Sequence, residues 1–192
     1  MKYCIYGGSF DPPHQGHKYL AQSVLAQFNL DFVLWVPSPD PPHKNKPTTP
    51  FKNRLAMVEL FIADEKKFQA CDIELSLPSP SYSFNTIQAL KKKFGPKNEW
   101  YFLIGADNWA IFPTWHRGDE LLRDVQLVVF PRENYPLHNL PNNVLGLDFP
   151  EMPIQSQDIR KKLSTDPDQA WPLIPKEIQG YIREQDLYGF KS

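Results

Sequence analysis

Short apolar runs alternate with longer amphipathic segments along most of this chain. The runs have the length and continuity of strands that are buried on both faces of a sheet. The predicted strands cover residues 2–6, 32–36, 68–75, 101–104, 125–130 and 144–147. Because strands that alternate with helices form parallel sheets covered by helices, we predict an α/β fold. Its expected form is a Rossmann-like, doubly wound, mainly parallel sheet with helices on both faces and a small C-terminal helical segment.

The segments between the strands repeat apolar residues at helical spacing. Leu20, Val24 and Phe28 follow one another at four-residue intervals, which places them on one face of a helix. Ser83 is predicted to cap a further helix. The predicted helices cover residues 15–28, 51–63, 83–94, 156–163 and 175–185.

A proline-rich segment, residues 37–50, interrupts this alternation. Its six prolines exclude a helix or a central strand, so the segment is predicted to be a long loop of the kind that often binds or covers a ligand. The chain of 192 residues can bury a full core and is predicted to be one domain, 1–192, with a helical C-terminal part from about residue 150.

Composition limits the partners and the cellular location that we expect for this domain. The net charge of −1 provides no field that would attract nucleic acid or an anionic membrane. The sequence contains neither an apolar run long enough to span a membrane nor an export signal, so we expect a cytoplasmic location. Cys4 and Cys71 have no partner spacing and are predicted to be buried, reduced thiols. The sequence gives no information on the oligomeric state.

Polar residues follow the first predicted strand in a compact motif. Residues 7–17 are Gly-Gly-Ser-Phe-Asp-Pro-Pro-His-Gln-Gly-His. Gly7 and Gly8 at a strand end let backbone N–H groups approach an anion, and a helix that begins near His14 points its positive end at the same place. His14 and His17 are three residues apart, so on one helical turn both can donate hydrogen bonds to one phosphate. The motif is therefore predicted to bind nucleotide phosphates.

This motif differs from two common nucleotide-binding motifs and resembles a third. It lacks the Gly-Lys-Ser/Thr of a Walker loop and the spacing of Gly-x-Gly-x-x-Gly. Its His-x-Gly-His spacing resembles the signature of the nucleotidyltransferase superfamily, whose members join a phosphate to the α-phosphate of ATP or CTP. Two alternatives stay open: the histidines serve only the start of a helix, or they bind zinc together with further ligands.

Further motifs narrow the resemblance to one family. The chain is similar to bacterial nicotinate-nucleotide adenylyltransferases at residues 41–44, 81–83, 105–107, 113–115 and 174–188. Membership of that family implies transfer of AMP from ATP to nicotinate mononucleotide, which gives deamido-NAD and pyrophosphate in NAD biosynthesis. ATP and nicotinate mononucleotide are then the partners, and neither nucleic acid nor a membrane is expected.

The chemistry of that reaction makes few demands on acid–base groups. A phosphate monoester, with a second pKa near ~6, is largely a dianion at neutral pH and needs no general base. Catalysis then depends on positioning and on charge stabilisation during an in-line displacement. We expect His17 to donate to the α-phosphate while His14 and the backbone of Gly7, Gly8 and Ser9 hold the phosphates. Mg²⁺ is expected to enter with ATP, and no separate metal site is predicted.

Other contacts to ATP are predicted from separate segments. His43 and Lys44, on the stiff proline-rich loop, are expected at the β- and γ-phosphates. The resemblance implies that Asp107 binds the adenosine ribose. Ser156 and Arg160, at a second helix start, are expected to bind phosphate. The alternatives are incidental loop charges at the first two positions and a helix cap at Asp107.

The nicotinate nucleotide is predicted to bind against aromatic residues. Trp115 offers a flat face for a pyridine ring, with Tyr82 and Ser83 on a neighbouring loop, as the resemblance implies. Packing in the core is the alternative for Trp115. Preference for the acid over the amide would need a donor near Trp115, and His116 and loop backbone are the candidates for it.

Residues 154–160 resemble the family's Ile-Ser-Ser-Thr-x-Ile-Arg but carry Gln155 and Gln157 where hydroxyl side chains are usual. Three alternatives to the main prediction follow from the sequence: a sister adenylyltransferase that uses phosphopantetheine, a cytidylyltransferase, and a nucleotide sensor that has lost activity. Arg54 and Arg132 are expected either to line the same pocket or to form surface ion pairs.

Overall fold

The computed structural model describes residues 1–42, 47, 49–135, 137, 140–150, 152 and 154–189. Within these residues one parallel sheet has the strand order β3-β2-β1-β4-β5-β6. Its strands are β1 (Lys2–Gly8), β2 (Phe32–Pro37), β3 (Phe68–Ala70), β4 (Glu99–Gly105), β5 (Gln126–Phe130) and β6 (Val144–Gly146). This order is that of the Rossmann fold, so the predicted fold class is confirmed.

Helices connect these strands and cover both faces of the sheet. They are α1 (Gln15–Gln27), α2 (Phe51–Ile62), α3 (Ser83–Phe94), α4 (Ala106–Ile111), α5 (Gly118–Asp124), α6 (Ser156–Thr165), α7 (Pro167–Ala170) and α8 (Lys176–Glu184). Short 3₁₀ turns lie at Ile73–Ser76, Phe112–Thr114, Trp171–Leu173 and Leu187–Gly189.

Two hydrophobic cores lie on opposite faces of the sheet. Cys4 and Tyr6 of β1 point into a core with α1, α2, α6 and α8. Tyr3 and Ile5 point into the other core, with α3 and α5. Burial on both faces explains why the central strands are continuously apolar in the sequence. The C-terminal helices α6 and α8 belong to the first core. The single domain, 1–192, stays a prediction.

Two local expectations were wrong, and two helices were missed. The strand predicted at residues 68–75 ends at Ala70, because β3 is an edge strand that leaves the sheet once the backbone N–H of Cys71 has bonded to the carbonyl of Trp35. Ser83 is the first residue of α3 and makes no capping hydrogen bond through its side chain, since Tyr82 occupies the capping position. The helices α4 and α5 were not predicted.

Other expectations agree with the structure. Cys4 and Cys71 are buried free thiols. No helix of the described residues combines the length and apolar character needed to cross a membrane. The cytoplasmic location stays a prediction.

Candidate active site

A large cavity opens where the strand order reverses, at the carboxyl ends of β1 and β4. Its volume is about 710 Å³. Two segments distant in the sequence form its walls near the motif: residues 5–10 at the end of β1 and residues 102–105 at the end of β4. The N-terminus of α6 closes a third side. The crevice at this reversal point is where parallel α/β sheets bind their ligands, so the cavity is the candidate active site.

The first glycines of the motif keep part of this cavity open. A Cβ atom on Gly7 would meet no heavy atom within 4 Å, although Gly7 lines the cavity. A Cβ on Gly8 would lie 3.0 Å from Cζ of Phe10. Gly7 therefore leaves room for a ligand to approach the backbone, whereas Gly8 makes room for the buried ring of Phe10 beneath it.

The two histidines of the motif lie together at the start of α1. His14 occupies the capping position, and the centroids of the His14 and His17 rings are 3.7 Å apart. The backbone N–H of His14 donates to Nδ1 of His17, with 3.1 Å between the two nitrogens. Because Nδ1 accepts this bond, the proton of a neutral His17 ring is on Nε2. The N–H of His17 is thus on Nε2, and both rings line the cavity.

Gly16 sets the position of the His14 ring. A Cβ on Gly16 would lie 3.0 Å from Nδ1 and 3.1 Å from Cε1 of His14, so the ring lies directly over the glycine. The ring of His17 restricts His14 from the other side. The packing of the His14 ring therefore requires glycine between the two histidines.

His14 is held in its uncharged form. Burial, followed by the nearby positive charge of Arg132, lowers its pKa from 6.5 to about 3. At neutral pH the His14 ring is consequently uncharged and can still form a hydrogen bond to a ligand. Its Nδ1 is buried and makes no hydrogen bond within the protein.

Side chains from two distant helices hold the loop that carries the histidines. The guanidinium of Arg54, on α2, donates from Nη1 to the carbonyl of Ser9 over 2.6 Å. Ser156 donates from Oγ to the carbonyl of Pro12 over 2.9 Å, and Arg160 donates to the carbonyl of Asp11. These donors occupy the carbonyl groups of Ser9, Asp11 and Pro12 and fix the path of the loop.

These contacts refine the expectations for the arginines and for Ser156. Ser156 and Arg160 line the cavity as predicted, but each also bonds to the loop. Arg54 is fully buried and neither lines the cavity nor forms a surface ion pair. Arg132 does line the cavity, with its Nε 3.8 Å from Oδ1 of Asp107.

Asp107 is not among the residues that line the cavity. It is the second residue of α4, so the alternative of a helix cap is wrong and Gly105 holds that position. A Cβ on Gly105 would overlap Oδ1 of Asp107, which shows how closely the carboxylate lies over the end of β4.

The aromatic residues predicted for the nicotinate nucleotide lie at the other end of the cavity. Trp115 and Ser83 line it, and Trp115 packs against Phe112 with 5.3 Å between ring centroids. Tyr82 does not line the cavity but stacks on His116 at 4.5 Å and 28°. With Trp115 and Ser83, these two rings form a small adjoining pocket.

A buried carboxyl group in the wall was not predicted. Glu74, on the turn Ile73–Ser76, lines the cavity and accepts a 2.8 Å hydrogen bond from Oγ1 of Thr86. Burial raises the pKa of Glu74, while the hydrogen bond from Thr86 lowers it in part. Nothing in the sequence indicated that Glu74 lies in the cavity wall, because its segment was predicted to be part of a strand.

Two predicted residues cannot be placed. His43 and Lys44 lie outside the described residues.

Gln155 and Gln157 are exposed and both line the cavity at the start of α6.

Several known proteins resemble this chain over most of its length. The cytidylyltransferase-like family model matches residues 5–162. The nicotinate-nucleotide adenylyltransferase of Bacillus subtilis (strain 168) is 35% identical over 185 residues, which cover 96% of both chains. A "Probable nicotinate-nucleotide adenylyltransferase" of Synechococcus sp. (strain JA-3-3Ab) is 37% identical, over 96% of this chain and 93% of the relative. The solved structure of Plasmodium falciparum nicotinic acid mononucleotide adenylyltransferase complexed with NaAD has a TM-score of 0.78 at 22% identity. It matches 99% of this chain and 98% of its own and supports the fold.

Proposed function

This chain belongs to the cytidylyltransferase-like family, and we propose that it transfers AMP from ATP to nicotinate mononucleotide in NAD biosynthesis. The family predicted from the sequence is confirmed by relatives that match nearly the whole chain. The single observation that supports the reaction best is the pair of closely packed histidine rings at the start of α1, which line a cavity of about 710 Å³.

The reaction is a displacement at phosphorus. A phosphate oxygen of nicotinate mononucleotide attacks the α-phosphorus of ATP and forms the new P–O bond. The bond from that phosphorus to the oxygen bridging the α- and β-phosphates breaks, and pyrophosphate leaves with the electron pair. No proton has to be removed from the nucleophile, because a phosphate monoester is largely a dianion at neutral pH. The protein therefore has to align the reactants and stabilise charge.

His17 is the best placed group for the α-phosphate. Its Nδ1 already accepts from the backbone of His14, so its Nε2–H is the group that donates. His14, with its pKa lowered to about 3, adds a neutral imidazole beside it. Gly7, Gly8 and Ser9 supply the backbone of the cradle.

The remaining assignments extend along the cavity. Ser156 and Arg160 lie at the second helix start, where phosphate oxygens are expected. Trp115 and Ser83, with Tyr82 in the adjoining pocket, lie at the end assigned to the nicotinate nucleotide. Asp107 is assigned to the adenosine ribose, and this contact requires its carboxylate to turn from Arg132 towards the ligand.

We also assign Mg²⁺ to this reaction, as a partner of ATP. The described part of the chain has no group of three or more His, Cys, Asp or Glu residues arranged to hold a metal ion. A magnesium ion coordinated chiefly by phosphate oxygens and water agrees with that composition. When bound with ATP, the ion would neutralise charge on the phosphates.

Release of pyrophosphate tests this assignment. The purified protein is incubated with ATP and Mg²⁺ and with nicotinate mononucleotide, nicotinamide mononucleotide or phosphopantetheine in turn, and CTP replaces ATP in a parallel set. We expect release with ATP and nicotinate mononucleotide, and a loss of about 10²- to 10³-fold in kcat for His17→Ala. Release only with phosphopantetheine or only with CTP would identify a sister enzyme. Absence of release with every pair would favour a nucleotide sensor.

A further inference from the structure

A buried acidic residue lies inside the phosphate-binding motif, three residues before His14. Asp11 is only 2% exposed. Its Oδ1 accepts a hydrogen bond from the hydroxyl of Tyr188, with 2.8 Å between the oxygens. The backbone N–H of Thr49 lies 3.5 Å from Oδ2. Tyr188 belongs to the last turn of the described chain, Leu187–Gly189, so the carboxylate joins the motif to a segment 177 residues away.

The backbone next to Asp11 needs such an anchor. Phe10 has φ of +47°, in the left-handed region that residues other than glycine rarely occupy. Conformations of this kind persist only where surrounding contacts fix them. Phe10 itself is buried against Tyr6, Trp35 and His17, so a change at Asp11 would be transmitted to the histidine rings through a packed cluster.

The chemistry of the Tyr188–Asp11 contact makes it a strong one. Burial, and next the Asp11 carboxylate, raise the pKa of Tyr188 above its usual range, so the hydroxyl keeps its proton and donates. Hydrogen bonds from a neutral donor to a carboxylate are among the stronger ones in proteins. The carboxylate is also close to the positive charges of Arg54 and Arg160, which hold neighbouring carbonyls of the same loop.

We propose that the C-terminal turn is a positioning element of the active site, in which the Tyr188 hydroxyl holds Asp11 and thereby sets the position of His14 and His17. Tyr188 does not line the cavity and touches no reacting group. It acts through Asp11 and is a positioning residue. This inference rests on the proposed adenylyl transfer for its effect on rate, but the predicted effect on the histidine rings is independent of that reaction.

The first experiment removes one oxygen atom. Tyr188→Phe keeps the ring and its packing, and Tyr181→Phe, in α8 and also packed against the first core, is the matched control. We expect kcat to fall roughly tenfold in Tyr188→Phe, as a displacement of well under 1 Å at the reacting groups would produce, with less than about a threefold change in the KM for ATP. Tyr181→Phe should keep the wild-type kcat. A purely structural role would lower Tm and leave kcat per folded molecule unchanged, which would overturn the proposal.

A double-mutant cycle tests whether the two residues act together. Asp11→Asn and the double variant Asp11→Asn/Tyr188→Phe are compared with the single variants in kcat. If Tyr188 acts through Asp11, the double variant should lose little more than the larger of the two single losses. Losses that multiply fully would show independent roles and would contradict the proposal.

The last readout separates this inference from the proposed function. The Cε1–H resonances of the five histidines are recorded by NMR and assigned with His14→Asn and His17→Asn variants. Because the ring centroids are only 3.7 Å apart, a small change in their geometry should shift both resonances in Tyr188→Phe and neither in Tyr181→Phe. If the wild type releases no pyrophosphate, the proposed function fails, while these shifts still support or refute the positioning role. Unchanged resonances in Tyr188→Phe would refute it.

Discussion

Replacing Gly16 by alanine would place a methyl group where the ring of His14 now lies. The new Cβ would be 3.0 Å from Nδ1 and 3.1 Å from Cε1 of that ring. Ordinary contacts between such atoms begin near about 3.5 Å, so the ring has to move by roughly half an ångström. His17 blocks one direction, with its ring centroid 3.7 Å away. The movement is therefore expected to carry His14 towards the cavity.

Stability should change little in Gly16→Ala, whereas activity should fall. Gly16 lies in the first turn of α1, where alanine favours the helix by up to about 1 kcal/mol over glycine. Strain against the His14 ring offsets part of this gain, so the net change in the free energy of unfolding should stay within about 1 kcal/mol of zero. A shift of half an ångström in a catalytic group should lower kcat by roughly tenfold.

Gly180 provides the matched control for this substitution. It is exposed in α8, and a Cβ there would meet no heavy atom within 4 Å. Gly180→Ala should therefore stabilise the protein by about 0.5–1 kcal/mol and leave kcat unchanged. Pyrophosphate release and urea unfolding are measured on both variants. Wild-type kcat in Gly16→Ala, together with unmoved histidine resonances, would refute the argument that the glycine sets the position of the His14 ring.

Three further predictions concern buried charges and proton binding. His14 has a pKa of 6.5 when unfolded and about 3 when folded, so between these values the unfolded chain binds a proton that the native protein does not. Stability should consequently fall as the pH decreases, by about 2 kcal/mol between pH 7 and pH 5, and urea unfolding of His14→Asn should lack this component. The pKa of Glu74 is raised by burial, so its contribution to stability is present at low pH and is lost as the pH rises. Glu74→Gln, which keeps an oxygen for Thr86, should therefore stabilise the protein more at pH 8 than at pH 4, and equal effects at both would contradict this. Arg54→Met removes two donors from loop carbonyls beside the buried Asp11 and should destabilise the protein by about 3 kcal/mol. Arg123→Met is the control, because Arg123 is exposed, and it should change stability by less than about 0.5 kcal/mol.

Much of the fold could be predicted because its central strands are buried on both faces. That burial requires continuous apolar runs, which are visible along the chain, and helices between them give a parallel sheet. The edge of the sheet was predicted less well. β3 ends at Ala70 because it has a neighbour on one side only, and the residues that follow it form the 3₁₀ turn Ile73–Ser76.

The candidate site also has features that the sequence predicted and features that it could not show. Residues 7–17 predicted the anion cradle and both histidines, because the strand end, the glycines and the helix start are local features of adjacent residues. The sequence could not show that Asp107 turns towards Arg132 or that Glu74 lies in the cavity wall, since both depend on neighbours brought from other strands and helices.

The sequence by itself determined the alternation of strands and helices, the motif at residues 7–17 and the family, all of which are carried by short runs of adjacent residues. Only the tertiary structure decided what holds that motif in place: Arg54 from α2, Ser156 and Arg160 from α6, and Tyr188 from the last turn. The physical reason is that a loop with a strained backbone gains its hydrogen-bond partners from segments up to 177 residues away, and their arrival depends on how the helices pack on the sheet.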